Sequence, residues 1–153
     1  MGLRPGKYDP DFFALVTGSF ERLVGRRLCP EGGDAAWLYD RAPFPVLAHD
    51  GGSDPLFVYA NRAAQDCFAY SWDELIGLPS RLSAEAPERA ARLALLERVR
   101  RDGYAEGYEG VRVAKSGRRF VIEAGVVWNL VDEAGGIWGQ AATFPSWRPA
   151  GEP

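Results

Sequence analysis

The sequence predicts an α+β fold: a five-stranded antiparallel sheet with helices on one face and an N-terminal helical cap over the other. Three observations lead there. Apolar residues recur at helical spacing ahead of Gly25, two short extended runs pair as a hairpin between 46 and 60, and after Gly103 the pattern turns to strand. The last three runs follow one another through tight turns as a meander, so with the hairpin they form one sheet.

The first helix has a defined start. Asp9 is placed to cap it, Pro10 suits the first helical position, and Asp11 complements the positive end of the helix dipole. Phe12, Leu15, Val16, Phe20, Leu23 and Val24 form one stripe, and Gly25 stops the helix. A stripe of this size should not face water, so Phe12, Val16, Phe20 and Leu23 are candidate interface residues, packed on the chain's own sheet or across a homodimer. After Glu31-Gly32-Gly33, a short helical segment is expected over 34–40, ended by Pro43 and Pro45.

Strands are expected over 46–49 and 56–60, joined by the turn-rich loop 50–55. Asn61 caps a helix over Arg62–Phe68, and Ser71 with Glu74 makes a capping box for a short helix that stops at Gly77. Pro87 opens the longest helix, which runs to about Arg101 and ends at Gly103, with Ala91, Leu95, Leu96 and Val99 as its apolar face. Its arginines read as a solvated face, because the chain carries a net charge of −3 and no basic field for nucleic acid.

The meander comprises Tyr104–Val113, a turn at Lys115-Ser116-Gly117-Arg118, a strand over 119–130, a turn over 132–136, and a strand over 137–144. Strict alternation over 119–130 puts Phe120, Ile122, Ala124, Val126 and Trp128 on the face toward the helices, with Arg119, Val121, Glu123, Val127 and Asn129 on the other. Ala124 is the small member of that inward set, so a cavity is expected beside it. The Pro- and Gly-rich tail over 146–153 is expected to fray.

The run Tyr59-Ala60-Asn61-Arg62-Ala63-Ala64, continued by Phe68-Ala69-Tyr70-Ser71-Trp72-Asp73-Glu74-Leu75-Ile76-Gly77, resembles the segment that joins the second strand of a PAS domain to its first helices. Ala42-Pro43-Phe44-Pro45-Val46-Leu47-Ala48-His49, Ser80-Arg81-Leu82, the stretch 110–117, Val127-Trp128-Asn129-Leu130 and Gly139-Gln140-Ala141-Ala142 resemble the MEKHLA domain, a PAS-like family. That family includes plant homeodomain–leucine zipper transcription factors and small free-standing bacterial proteins. The heavy use of Arg, Ala and Gly fits the bacterial form. The chain shows no homeodomain or zipper, so DNA binding does not carry over. The resemblance implies an N-terminal cap over 1–34, the PAS-like MEKHLA domain over 35–145 and a tail over 146–153. It also implies a sensory or interaction role: a small ligand between sheet and helices, or a protein partner, and rarely catalysis.

The residues offer little for catalysis or for a cofactor. His49 is the one histidine of the chain, with no second metal-ligating residue at suitable spacing, and reads as a hydrogen-bonded strand-end residue. No His, Cys or Met falls within 87–101, where haem-binding PAS domains ligate iron, so haem is not expected. In light-oxygen-voltage domains the E-L-I-G turn leads to a reactive cysteine; here that place falls to Ser80, whose hydroxyl lacks the thiol nucleophilicity of adduct formation. Non-covalent flavin has no residue that speaks for it, and no cofactor or metal is expected. Cys29 and Cys67 are too few for a disulfide scaffold, and Cys67 reads as a small buried residue.

No apolar run reaches membrane-spanning length, and residues 1–6 lack the core of a secretory leader and the residue that myristoylation needs. A cytoplasmic protein is expected, without membrane or nucleic-acid partners. The ligand-pocket candidates are Tyr59, Asn61, Trp72, Leu95, Val99, Tyr108, Phe120, Ile122, Ala124, Trp128 and Gln140. Set against them is the plainer reading of a filled core, with Asn61 first of all a cap. Three functions are compared: a ligand-binding sensory module, a ligand-free interaction or dimerisation domain, and a small enzyme using the same cavity. A core without large cavities would favour the second, and two ionisable groups converging in a cavity would favour the third.

Overall fold

A computed structural model describes residues 5–150. The reading of residues 1–4, and the last three residues of the expected tail, lie outside that range. Helix α1 (Pro10–Val24) is followed by a single π-helical turn (Trp37–Arg41), strands β1 (Val46–Asp50) and β2 (Phe57–Ala60), and helices α2 (Arg62–Phe68) and α3 (Trp72–Leu75). A 3-10 turn (Ser80–Ser83) leads to helix α4 (Ala86–Asp102) and strands β3 (Tyr104–Val113), β4 (Arg119–Val131), β5 (Ile137–Thr143) and β6 (Ser146–Pro149). The antiparallel sheet has the order β2-β1-β5-β4-β3. The five expected strands are present.

The sixth strand corrects the expectation of a frayed tail from 146 onward. Pro145 ends β5's run, and the chain then pairs Ser146–Pro149 with the first half of β4, where β5 leaves its edge bare. Arg148 Nε lies 3.2 Å from Glu123 Oε2, and the Ala150 N–H donates to the Arg119 carbonyl at 3.1 Å. A strand edge left open would expose a row of unpaired backbone groups.

The local signals are realised. The Asp9 carboxylate accepts from the N–H groups of Asp11 and Phe12 at 2.9 and 3.1 Å. Gly25 takes a left-handed φ of 87° that closes α1. Ser71 and Glu74 form the reciprocal capping box. Helix α1 lies on its own sheet: Phe12, Val16 and Phe20 are buried, with half-buried Leu23 beside the same cluster. Trp128 Nε1 donates to the Val16 carbonyl at 3.2 Å, and the Trp128 ring meets Phe20 edge-on at 4.8 Å. Of the four interface candidates, Phe12, Val16 and Phe20 are thus buried in an intramolecular layer, with Leu23 at its edge.

Strict alternation along β4 fails at one place. Tyr108 pairs with Gly125 and Gly110 with Ile122, so two steps on β3 match three on β4: a bulge at Glu123–Ala124. Ala124 takes a φ of 53° and is exposed. The extra residue inverts the facing beyond it. Phe120 and Ile122 face the helices as expected, but from Gly125 onward Val127 and Asn129 do, while Val126 and Trp128 pack in the cluster with α1. The single-face set of Phe120, Ile122, Ala124, Val126 and Trp128 is thus corrected, as is the cavity expected beside Ala124.

Left-handed φ strains any residue with a Cβ by about 1–2 kcal/mol. Ala124→Gly should therefore gain about 1 kcal/mol in urea denaturation, net of glycine's greater unfolded-state entropy.

Candidate functional site

The sheet face away from α1 is covered by α2, the Ser80–Ser83 turn and α4. Between that cover and β1, β3, β4 and β5 lies a cavity with about 60 Å³ available to the centres of water-sized spheres. That is room for roughly four waters or a molecule of a few heavy atoms. Leu47, Phe57, Phe68, Leu95, Ile122 and Val127 are among its apolar walls, and His49, Arg92, Arg112, Tyr108 and Gln140 are polar groups at its boundary.

Of the sequence-derived pocket candidates, Leu95, Tyr108, Ile122 and Gln140 line this cavity. Val99 and Phe120 are buried on the same side but outside the lining, Val99 with Leu95 and Phe120 edge-on to Phe68 at 5.0 Å. Tyr59, Trp72 and Trp128 belong to the opposite layer with α1. Tyr59 meets Phe12 at 5.4 Å and Trp72 at 5.8 Å. Its hydroxyl is buried without a protein partner, as is that of Ser80. Asn61 is a structural hub: Oδ1 accepts from Val46 N at 2.9 Å and Ala64 N at 3.0 Å, while Nδ2 donates to the Leu38 and Phe44 carbonyls at 3.1 and 3.0 Å. Fully engaged in this way, it has no group to offer a ligand. Ala124 lies outside altogether.

Among the lining residues that were not candidates, three are ionisable, and each was missed for a definable reason. Arg92 stands at i−4 to Leu96 and i−7 to Val99, on α4's apolar stripe, and that spacing was a legible signal. Arg112 alternates with Val111 and Val113, which suggests the polar side of β3; pairing with Phe120 turns it inward instead. His49 does donate from Nδ1 to the Asp50 carbonyl, 2.8 Å away, as a strand-end residue would, yet it is 7% exposed and forms part of the cavity wall.

Tyr108 and the glycines around it seat Arg112. A Cβ at Gly110 would fall 2.1 Å from the Tyr108 hydroxyl oxygen, so glycine there lets the ring lie along the sheet. Arg112 Nη2 donates to that hydroxyl and Nη1 donates to the Val111 carbonyl at 2.8 Å. Burial lowers the pKa of both guanidiniums, Arg92 to about 10, and the Arg92–Arg112 repulsion adds to the effect on Arg92. An amide pair ties the cavity to α4: Asn129 Nδ2 donates to the Val99 carbonyl at 3.0 Å, and Gln140 Nε2 to the Leu96 carbonyl at 2.9 Å and to Asn129 Oδ1 at 3.1 Å.

Cys29 and Cys67 are free and buried, and burial pushes their thiols up to about 11 and 12. Among the described residues no group of three or more His, Cys, Asp or Glu could hold a metal, and no helix is long and apolar enough to cross a membrane.

Sheet order, the helical cover and an interior cavity on this side define a PAS-type fold, and solved structures agree. The PAS domain of a protein from Colwellia psychrerythraea superposes with a TM-score of 0.63 at 17% identity, covering 75% of this chain and 92% of that one. The LOV domain of the blue-light activated histidine kinase EL346 from Erythrobacter litoralis gives 0.56 at 22% identity, covering 73% and 100%. A cysteine-to-serine mutant of Vivid gives 0.56 at 20% identity, covering 84% and 96%. The model of the MEKHLA domain family matches residues 11–149, and the chain belongs to that family. No curated protein matches it in sequence. The family match begins inside α1, so the helix expected as a separate cap over 1–34 falls largely within the matched region.

Burial holds the His49 imidazole down to about 4, with Arg92 opposing its charge as well and the Asp50 carbonyl acting the other way. The folded chain therefore favours the neutral ring. Stability is complete above the unfolded value near 6.5 and is lost as pH falls from there through 4, by on the order of 3 kcal/mol. Urea denaturation of the wild type against His49→Gln should show that slope only in the wild type.

Proposed function

We propose that this protein is a sensory module that takes a small molecule into the cavity between sheet and α4 and passes its occupancy to a protein partner. The observation that carries the reading is the cavity itself: apolar walls with a few polar groups at the boundary, as small-molecule sites have. A ligand-free interaction domain would have a filled core at this place.

His49, Leu96 and Gln140 border both the cavity and an outer cleft that also includes Leu93 of α4 and Ile137 of β5. That shared wall is the entrance this reading assigns. Gln140 and Asn129 hold the carbonyls of α4's last turns, so a ligand that displaces the Gln140 amide would loosen α4. Leu93, 58% exposed on that helix, is the apolar side chain a partner would meet.

Ionisable groups do converge on the cavity, the condition set for an enzyme. They are two guanidiniums, a neutral imidazole and a phenol, with no carboxylate or thiol among the lining residues. The hydroxyls of Ser83 and Thr143 already donate to the Ser80 and Pro45 carbonyls at 2.7 and 2.8 Å. Such a set suits recognition of charge better than proton relay or nucleophilic attack.

Ala142 pairs with Val127 and Leu47 and lines the cavity, which makes it the right position for a filling variant. Ala142→Leu should cost less than about 1 kcal/mol in chemical denaturation, against about 1–3 kcal/mol for overpacking a filled core. In native mass spectrometry it should lose any small molecule that the wild type retains. A larger stability loss, with no change in retained mass, would favour the interaction domain.

A further inference from the structure

We propose that the cavity ligand is a small monocarboxylate with a short apolar tail, its carboxylate held by Arg92 and Arg112. This deepens the ligand-binding reading above and rests on it.

The geometry argues from what is engaged and what is not. Two guanidiniums border one cavity from two elements, Arg92 on α4 and Arg112 on β3. Each of the eight ion pairs found among the described residues joins other groups, so neither arginine has a carboxylate within 4.0 Å. Glu88 is the acidic group that acts on Arg112, and only at long range. Arg112 is 6% exposed and keeps N–H groups beyond those that meet Tyr108 and Val111. Arg92 makes no side-chain hydrogen bond to the described residues. Arg112 is buried and Arg92 half-buried, and two like charges at one cavity with no carboxylate beside either are costly unless an anion completes the site.

The rest of the lining selects among anions. A guanidinium meets a carboxylate in a planar, two-point geometry, so a pair of them suits a planar anion well. Leu47, Phe57, Phe68, Leu95 and Ile122 offer hydrocarbon to whatever the charge is attached to. The space of about 60 Å³ limits that tail to a few carbons. A free inorganic anion would leave those walls uncovered, and a large ring system would not enter without displacing them.

His49 supplies an internal reporter, because it is the one histidine of the chain. Arg92 and Asp50 are the charged groups that act on it. A carboxylate beside Arg92 would offset the guanidinium and raise the His49 pKa, and a neutral molecule of the same shape would not.

The test titrates the full chain with butyrate, butyramide and inorganic phosphate, following the His49 ring by NMR together with calorimetry. Butyrate should bind at least tenfold more tightly than butyramide or phosphate and raise the His49 pKa. Arg92→Met, which keeps the apolar stem of the side chain on α4, should weaken butyrate at least tenfold and leave butyramide unchanged. Arg92→Lys should restore part of the loss. Equal binding of butyrate and butyramide would overturn the carboxylate and leave the cavity reading standing. Phosphate binding as tightly as butyrate would overturn the apolar tail. No binding of butyrate or butyramide by the wild type would overturn the proposal together with the pocket reading.

Discussion

Strand β4 carries 13 residues past two different layers, and the bulge at Glu123–Ala124 is what lets it serve both. Ahead of the bulge, Phe120 and Ile122 pack against α2 and its neighbours. Beyond it, Val127 and Asn129 meet α4 while Trp128 and Leu130 anchor α1. Had alternation continued unbroken, Trp128 would have stood in the cavity and Asn129 beneath the apolar stripe of α1. The indole would have filled the space, and a buried amide would have lacked the α4 carbonyls that now accept from it. Strain at Ala124 is the local cost of that arrangement.

The two layers divide the work. The α1 layer is dense and aromatic: Phe12, Phe20, Tyr59, Trp72 and Trp128 meet one another mostly edge-on, and α1 is sealed to the sheet by Trp128 and Ser19 hydrogen bonds. The other side is packed beneath α2, around Phe57, Phe68, Phe120 and Phe144, but is looser toward α4. There α4 is held through the Asn129–Gln140 amide pair and a few apolar contacts, and the cavity persists between them. A layer of this looser kind is where occupancy can alter structure, because less packing has to be undone.

The electrostatics of the cavity follow from the same construction. His49 stays neutral because it is buried at the end of β1, and its Nδ1 donates to the adjacent carbonyl. Arg112 is tolerated inside because Tyr108 lies flat over Gly110 to receive it. Arg92 reaches the cavity from an otherwise solvated helix, bringing its charge along an apolar stem. The site is thus cationic within a chain that is acidic overall.

Much of the fold was legible along the chain because its signals are local. Asp9, Asn61, Ser71 and Glu74 satisfy backbone groups within a turn of their own positions, and glycines such as Gly25 and Gly77 stop helices by taking φ values that other residues avoid. The MEKHLA motifs were readable for the same reason, and so were Leu95, Tyr108, Ile122 and Gln140 as cavity residues, since each lies on a regular stretch. The rest was decided by pairing between distant segments. Where the bulge falls depends on how β3 and β4 align, and that alignment turns Ala124 outward, Trp128 toward α1 and Arg112 inward. Strand β6 exists because β5 ends short of β4's first half, leaving an edge that residues 146–149 can pair with. Side-chain direction in a strand reverses with each residue, so one inserted position, invisible in a single strand's pattern, reassigns every side chain beyond it.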